Sequence, residues 1–245
     1  MQIKIGRLLL AGVLLSGAVA GRTQRVTLYD GADNKTLETA GWVFIQRPRT
    51  PSVIGTVRNG VTTLDTMADA AFKAGYSRIA PFDLDSIKGY DLRFDLKVIS
   101  ETHGSREDRA GCDVIVLGSD GRGVELAFWT NAVWTQDDRL LHASGMESHA
   151  FDTTMEGRRY VLHVANGKYT LSTEGAAKTE LLNGSLHSYA ASGPAIPYRL
   201  RNYIFIGDDT TSASAEFQIA HVEVSGPKKD STSKNLKKNP QKGSK

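Results

Sequence analysis

The chain holds one cysteine, Cys112, in 245 residues, so an internal disulfide is impossible and stability must come from an apolar core. Set in the stretch GCDVIVLG, that thiol reads as a small buried hydrophobe. No apolar run is long enough for a spanning helix; LLLAGVLLSGAVA at 8–20 falls short of the roughly 20 residues needed. The six histidines show no His-Glu-x-x-His spacing, which argues against a zinc hydrolase. Neither a Gly-x-Ser-x-Gly nucleophile turn nor a phosphate-cradling glycine loop occurs. The stretch GSDGRG has the glycines but joins two strand-like runs, where a phosphate cradle needs a helix N-terminus. A helical apolar period is also missing between Val26 and Val224.

What is present begins with a leader. Lys4 and Arg7 precede the short apolar run, and Ala18-Val19-Ala20 offers small residues for signal peptidase. Residues 1–20 are therefore predicted to be a cleaved signal peptide, with a retained, uncleaved anchor as the alternative, and it directs the protein to the periplasm, the cell envelope or the outside. With no cysteine near the cut, a lipoprotein anchor is not expected. Residues 226–245 form a tail with seven lysines against Asp230 and one apolar residue besides proline and glycine, Leu236. Removing the +6 of this tail and the +2 of the leader from the net +3 leaves the body at −5. The basic character is thus confined to a tail predicted to be disordered, and a nucleic-acid-binding domain is not implied.

Between these ends, short runs rich in β-formers alternate with Gly, Asp, Asn and Ser. In YDLRFDLKVI, Leu92, Phe94, Leu96 and Val98 take one face, and Asp91, Arg93, Asp95 and Lys97 the other. Asn166-Gly167 marks a tight hairpin that sets Val164 opposite Tyr169, Leu162 opposite Leu171 and Tyr160 opposite Thr173. About a dozen such strands without helical crossovers predict an all-β fold, a two-sheet antiparallel β-sandwich of jelly-roll type over 21–225.

The segments LYDG, GWVFIQ, GVTTLDT, GYDLRFDLKVISE, DRAGCDVIVLGSDGRGVELAFW, AVWTQ and YIFIGDDTTSASAEFQIAHVEV together resemble the choice-of-anchor Y domains of exported bacterial proteins. The resemblance runs from about Val26 to Val224, and its last segment is the most specific. It implies a concanavalin-A-like or laminin-G-like sandwich and names no activity. The chain departs from the family where an apolar sorting helix would follow Gly226, since only the lysine tail is there.

Three groups of residues are candidates for function. In GVELAFWTNAVWTQ, alternation turns Val124, Leu126 and Phe128 inward and Glu125, Ala127 and Trp129 outward, with Trp134 and Gln136 at the same spacing. Glu125, Trp129, Trp134 and Gln136 are thereby a predicted ligand surface for an extracellular glycan or another envelope component, unless loops cover that face and make the tryptophans core. Glu125 is also a candidate glycosidase carboxylate. The Glu-x-Asp-x-x-Glu pattern of glycanases would fall on Glu125, Ala127 and Thr130, so a partner would have to come from Asp113 or Asp120 on another strand. Asp208 and Asp209 open a turn between the last two runs; they admit a purely turn-forming role, a Ca²⁺ site or catalysis. The main reading is a non-catalytic exported module that recognises glycans. A glycan-active hydrolase or lyase and a purely structural envelope protein are the alternatives.

Ordering a segment this polar costs more entropy than its contacts return. Deleting 228–245 should therefore leave the melting temperature unchanged, and it should weaken retention on anionic surfaces at low salt, where screening is least. A drop in melting temperature would place the tail within the fold.

Overall fold

The computed structural model describes residues 23–48, 55–69, 71–136, 147–175, 178–189 and 198–228; the predicted leader and nearly all of the lysine tail lie outside them. Among the described residues the only helix is one 3₁₀ turn, Gly31–Asp33, and no helix is long and apolar enough to cross a membrane. In chain order the strands begin with β1 (Thr23–Asp30), β2 (Val43–Arg47), β3 (Thr56–Arg58), β4 (Val61–Asp65) and β5 (Lys73–Ile79). Then come β6 (Tyr90–Thr102), β7 (Asp113–Leu117), β8 (Arg122–Phe128), β9 (Ala132–Thr135) and β10 (Ser148–Ala150). The last are β11 (Arg159–Ala165), β12 (Lys168–Glu174), β13 (Glu180–Ser185), β14 (His187–Ser188), β15 (Tyr203–Asp208) and β16 (Ser214–Pro227).

They form two antiparallel sheets packed face to face, a jelly-roll β-sandwich as the strand spacing predicts. Sheet I runs β13-β12-β11-β6-β16-β4-β3, with β1 also on β16; sheet II runs β10-β9-β8-β7-β15-β5-β2, with β14 on β8. The long strands β6 and β16 are the spine of sheet I, and bulges between Glu216 and Phe217 and between Ile219 and His221 let them twist while paired. Alternation on β6 is as the sequence predicts: Tyr90, Leu92, Phe94, Leu96 and Val98 are buried while Asp91, Arg93, Asp95 and Lys97 are partly exposed. The outer face of sheet I is wet and carries paired charges. Arg159 grips Asp95 with two bonds of 2.6 and 2.8 Å, and Lys97 meets Glu156 at 3.1 Å.

The core lies between the sheets. Phe94 of sheet I stacks on Tyr160 with ring centres 5.3 Å apart and meets Phe128 of sheet II edge-on at 6.1 Å. The β11–β12 hairpin has the expected register at all three pairs, with Asn166 at φ 54° and Gly167 at φ 72°. A second Asn-Gly hairpin, at Asn59-Gly60, joins β4 to β3, a short strand that the sequence reading does not single out. Residues 180–188 serve both sheets: β13 closes the edge of sheet I, and after Leu186 the chain crosses to sheet II as β14. Cys112 is fully buried, and that burial pushes its thiol well above the usual range, so it serves as core.

Leu162 is buried between Phe94's neighbours and the hairpin partner Leu171, so Leu162→Ala should cost about 2–5 kcal/mol in chemical denaturation. On the same hairpin, exposed Lys168→Ala should stay within about 0.5 kcal/mol.

Candidate functional site

The strand order of sheet II places β7 between β15 and β8, strands that are far apart in the chain. Register then does the rest. Asp113 pairs with Gly207 on one side and Ala127 on the other, and Ile115 pairs with Phe205 and Glu125. Since inner positions of β7 and β8 are Val114, Val116, Val124 and Leu126, Asp113 and Glu125 project from the outer face. Asp209, two residues beyond Gly207, comes up on that same face. One carboxylate oxygen from each of Asp113, Glu125 and Asp209 lies within 4.8 Å of the others.

Two further side chains close on Glu125. Gln136 faces it across β8 and β9, with a backbone bond from its N–H to the Glu125 carbonyl at 3.0 Å, and its Nε2 donates to Glu125 Oε1 at 2.5 Å. Tyr198 Oη donates to Glu125 Oε2 at 2.5 Å and lies 3.3 Å from Asp209 Oδ2. Tyr198 also stacks on Tyr189, ring centres 4.9 Å apart, and the pair covers Ile115, Leu117, Tyr203 and Phe205. The middle of sheet II is therefore covered on both faces, and Asp113 and Glu125 are wholly buried while Asp209 is half-buried. Gly75 and Gly207, paired across β5 and β15, make room for this cover: a Cβ on either would sit within 2.7 Å of the Phe205 ring.

Of the predicted ligand surface, Glu125 and Gln136 are brought together, and the tryptophans behave differently. Trp134 is 2% exposed and packs on Ala110 and Ala127, so it is core and offers no platform for a sugar ring. Its Nε1–H has no acceptor among the described residues. Trp129 is half-buried, donates to the Arg109 carbonyl at 2.9 Å, and stacks on His103 at 4.2 Å between ring centres. Asp113 is the partner that reaches Glu125. Asp120 instead caps its own turn, accepting from the Ser86 hydroxyl at 2.6 Å and the Arg122 N–H at 3.0 Å. Sequence reading did not single out Tyr198, which lies in a loop with no periodic signal.

The Asp208-Asp209 pair is split. Asp208, the last residue of β15, turns to the opposite side from Asp209 and is 1% exposed. Its Oδ2 accepts from the Thr66 hydroxyl at 2.6 Å and its Oδ1 from the Thr210 N–H at 3.0 Å, the turn-forming bond expected of it. Of the two, Asp209 is the one that joins Asp113 and Glu125.

No protein-family model and no curated protein matches the chain. Among solved structures, a carbohydrate esterase from the Shiga toxin-encoding bacteriophage phi24B is similar in fold, with 13% identity and a TM-score of 0.54, covering 84% of this chain and 100% of that one. The winged bean acidic lectin in complex with methyl-α-D-galactose covers 85% of this chain and 100% of its own at 9% identity and TM-score 0.46. The exoplasmic/lumenal domain of VIP36 in its Ca²⁺/Man3GlcNAc-bound form covers 78% and 86% at 12% identity and 0.45. The esterase likeness shows a shared fold.

Burial, the largest cause, raises the Asp208 carboxyl to about 8, with the nearby Asp209 adding to it and Thr66 opposing. Unfolded, the group ionises near 3.8, so this carboxyl imposes no penalty below that pH, an increasing one as pH rises toward 8, and a constant one above. Asp208→Asn imitates the protonated form and can donate to Thr66. Melting curves should show wild type losing stability between about pH 4 and 8 relative to the variant, by up to a few kcal/mol. Parallel pH profiles for the two proteins would disprove this.

Proposed function

We propose that this protein is an exported, non-catalytic β-sandwich module that recognises glycan through the outer face of sheet II around Glu125. The observation that carries the reading is the convergence of Asp113, Glu125, Gln136, Tyr198 and Asp209 from separate chain segments onto one sheet face. Carboxylates accept from sugar hydroxyls, while a phenol and an amide both donate and accept, so the set matches a polyhydroxylated ligand. Half-buried Asp209 is its accessible member, and half-buried Trp129 lies beside Trp134. Recognition is favoured over turnover because both oxygens of Glu125 are already engaged, by Gln136 and Tyr198. The fold shared with a carbohydrate esterase and the predicted leader fit an extracellular glycan or envelope partner.

One observation favours a second reading, a glycan-active hydrolase. Three carboxylate oxygens within 4.8 Å come near the separation of about 5–5.5 Å found between the two acids of retaining glycosidases.

A glycan array decides between them. Wild type should bind a defined set of glycans without releasing reducing ends, and Tyr198→Phe and Glu125→Gln should each weaken binding about tenfold or more, a loss of about 1.4 kcal/mol, with the fold intact. Polysaccharide cleavage that disappears in Glu125→Gln would establish the hydrolase. Absence of both binding and cleavage would leave a structural envelope protein.

A further inference from the structure

We infer that the outer face of sheet II binds one divalent cation, Ca²⁺ by size and ligand chemistry, held by Asp113, Glu125 and Asp209 with the side-chain carbonyl of Gln136. The first support is geometric. Oxygens that share a Ca²⁺ ion at 2.3–2.6 Å are at most about 5 Å apart, and the three carboxylate oxygens here lie within 4.8 Å of one another. The second is independent of the acids. Gln136 is 1% exposed, and although its Nε2 is held by Glu125 at 2.5 Å, its Oε1 has no donor among the described residues. That oxygen is bonded to the same carbon as the nitrogen, so it sits at the margin of the acid cluster. A buried carbonyl without a donor is costly, and amide carbonyls are regular Ca²⁺ ligands.

The donor set narrows the ion. It consists of oxygens alone, which disfavours zinc and copper, whose sites draw on imidazole and thiolate. The near-complete burial of Asp113, Glu125 and Gln136 leaves little room for the waters that Mg²⁺ retains, whereas Ca²⁺ accepts an all-protein shell. Asp113 and Glu125 stand on adjacent central strands and Asp209 just past the end of a third, so the ligands are positioned by the sheet before any ion arrives. Asp208 takes no part, because it faces Thr66 on the other side. The inference holds whether or not this face takes sugar, and its test contains none.

The full chain, stripped with chelator, would be titrated with Ca²⁺ while melting is followed, and separately with Tb³⁺, a hard ion of similar size, while tryptophan and tyrosine are excited. Trp134 and Tyr198 flank the site, so bound Tb³⁺ should emit and excess Ca²⁺ should quench that emission. Ca²⁺ at about 100 times its dissociation constant should raise the melting temperature, since an ion that binds only the folded state stabilises it. Asp209→Asn and Glu125→Gln should each lose tenfold or more in Tb³⁺ affinity, and Asp208→Asn should keep it. If Glu125→Gln does not fold, Asp209→Asn, altered beyond the end of β15, decides alone. No emission and no melting shift in wild type at about 5 mM Ca²⁺ would overturn the inference, that concentration exceeding even the weak extracellular range. So would emission that survives Asp209→Asn.

Discussion

Phe94 on sheet I meets Phe128 on sheet II edge-on, with Tyr160 stacked behind, and this contact holds the two sheets face to face. Every strand that supplies a residue to that apolar layer must send its neighbours the other way, because side chains alternate along a strand. On sheet I the displaced residues meet water, and Arg93, Asp95, Lys97 and Arg159 are satisfied there as surface ion pairs. On sheet II they meet a second cover made by Tyr189 and Tyr198. The same alternation therefore yields a solvated charged face on one side and buried carboxylates on the other.

Buried carboxylates are costly unless hydrogen-bonded or matched by positive charge. Glu125 meets part of this through Gln136 and Tyr198, while Gln136 Oε1 is left without a donor among the described residues. A face assembled only for stability would be cheaper with apolar residues at Asp113 and Glu125, as at Ile115 and Leu117 beside them. The cluster is thus a local departure from good packing within a sheet that otherwise packs well, the pattern expected where binding sets the residue choice.

Asp208 and Asp209 show how much one residue of register decides. They are adjacent, alike and both beside a turn, but the first is hydrogen-bonded to Thr66 within the protein and the second joins Asp113 and Glu125. The first takes the turn-forming role that the sequence leaves open, and the second joins the acid cluster.

The sequence by itself determined the class of fold, the wet and dry faces of β6, the register of the β11–β12 hairpin and the outward side of Glu125 and Gln136. Those depend on period two and on Asn-Gly turn chemistry, which are local. It missed the Asn59-Gly60 hairpin, whose β3 arm is three residues long and too short to show a period, and the crossing at Leu186, where one apolar run serves two sheets. The covering of Trp134 and the meeting of Asp113, Glu125, Tyr198 and Asp209 were decided by tertiary structure alone. Strand order β15-β7-β8 is not chain order, and side-chain cover on an outer sheet face comes from loops whose placement no periodicity encodes.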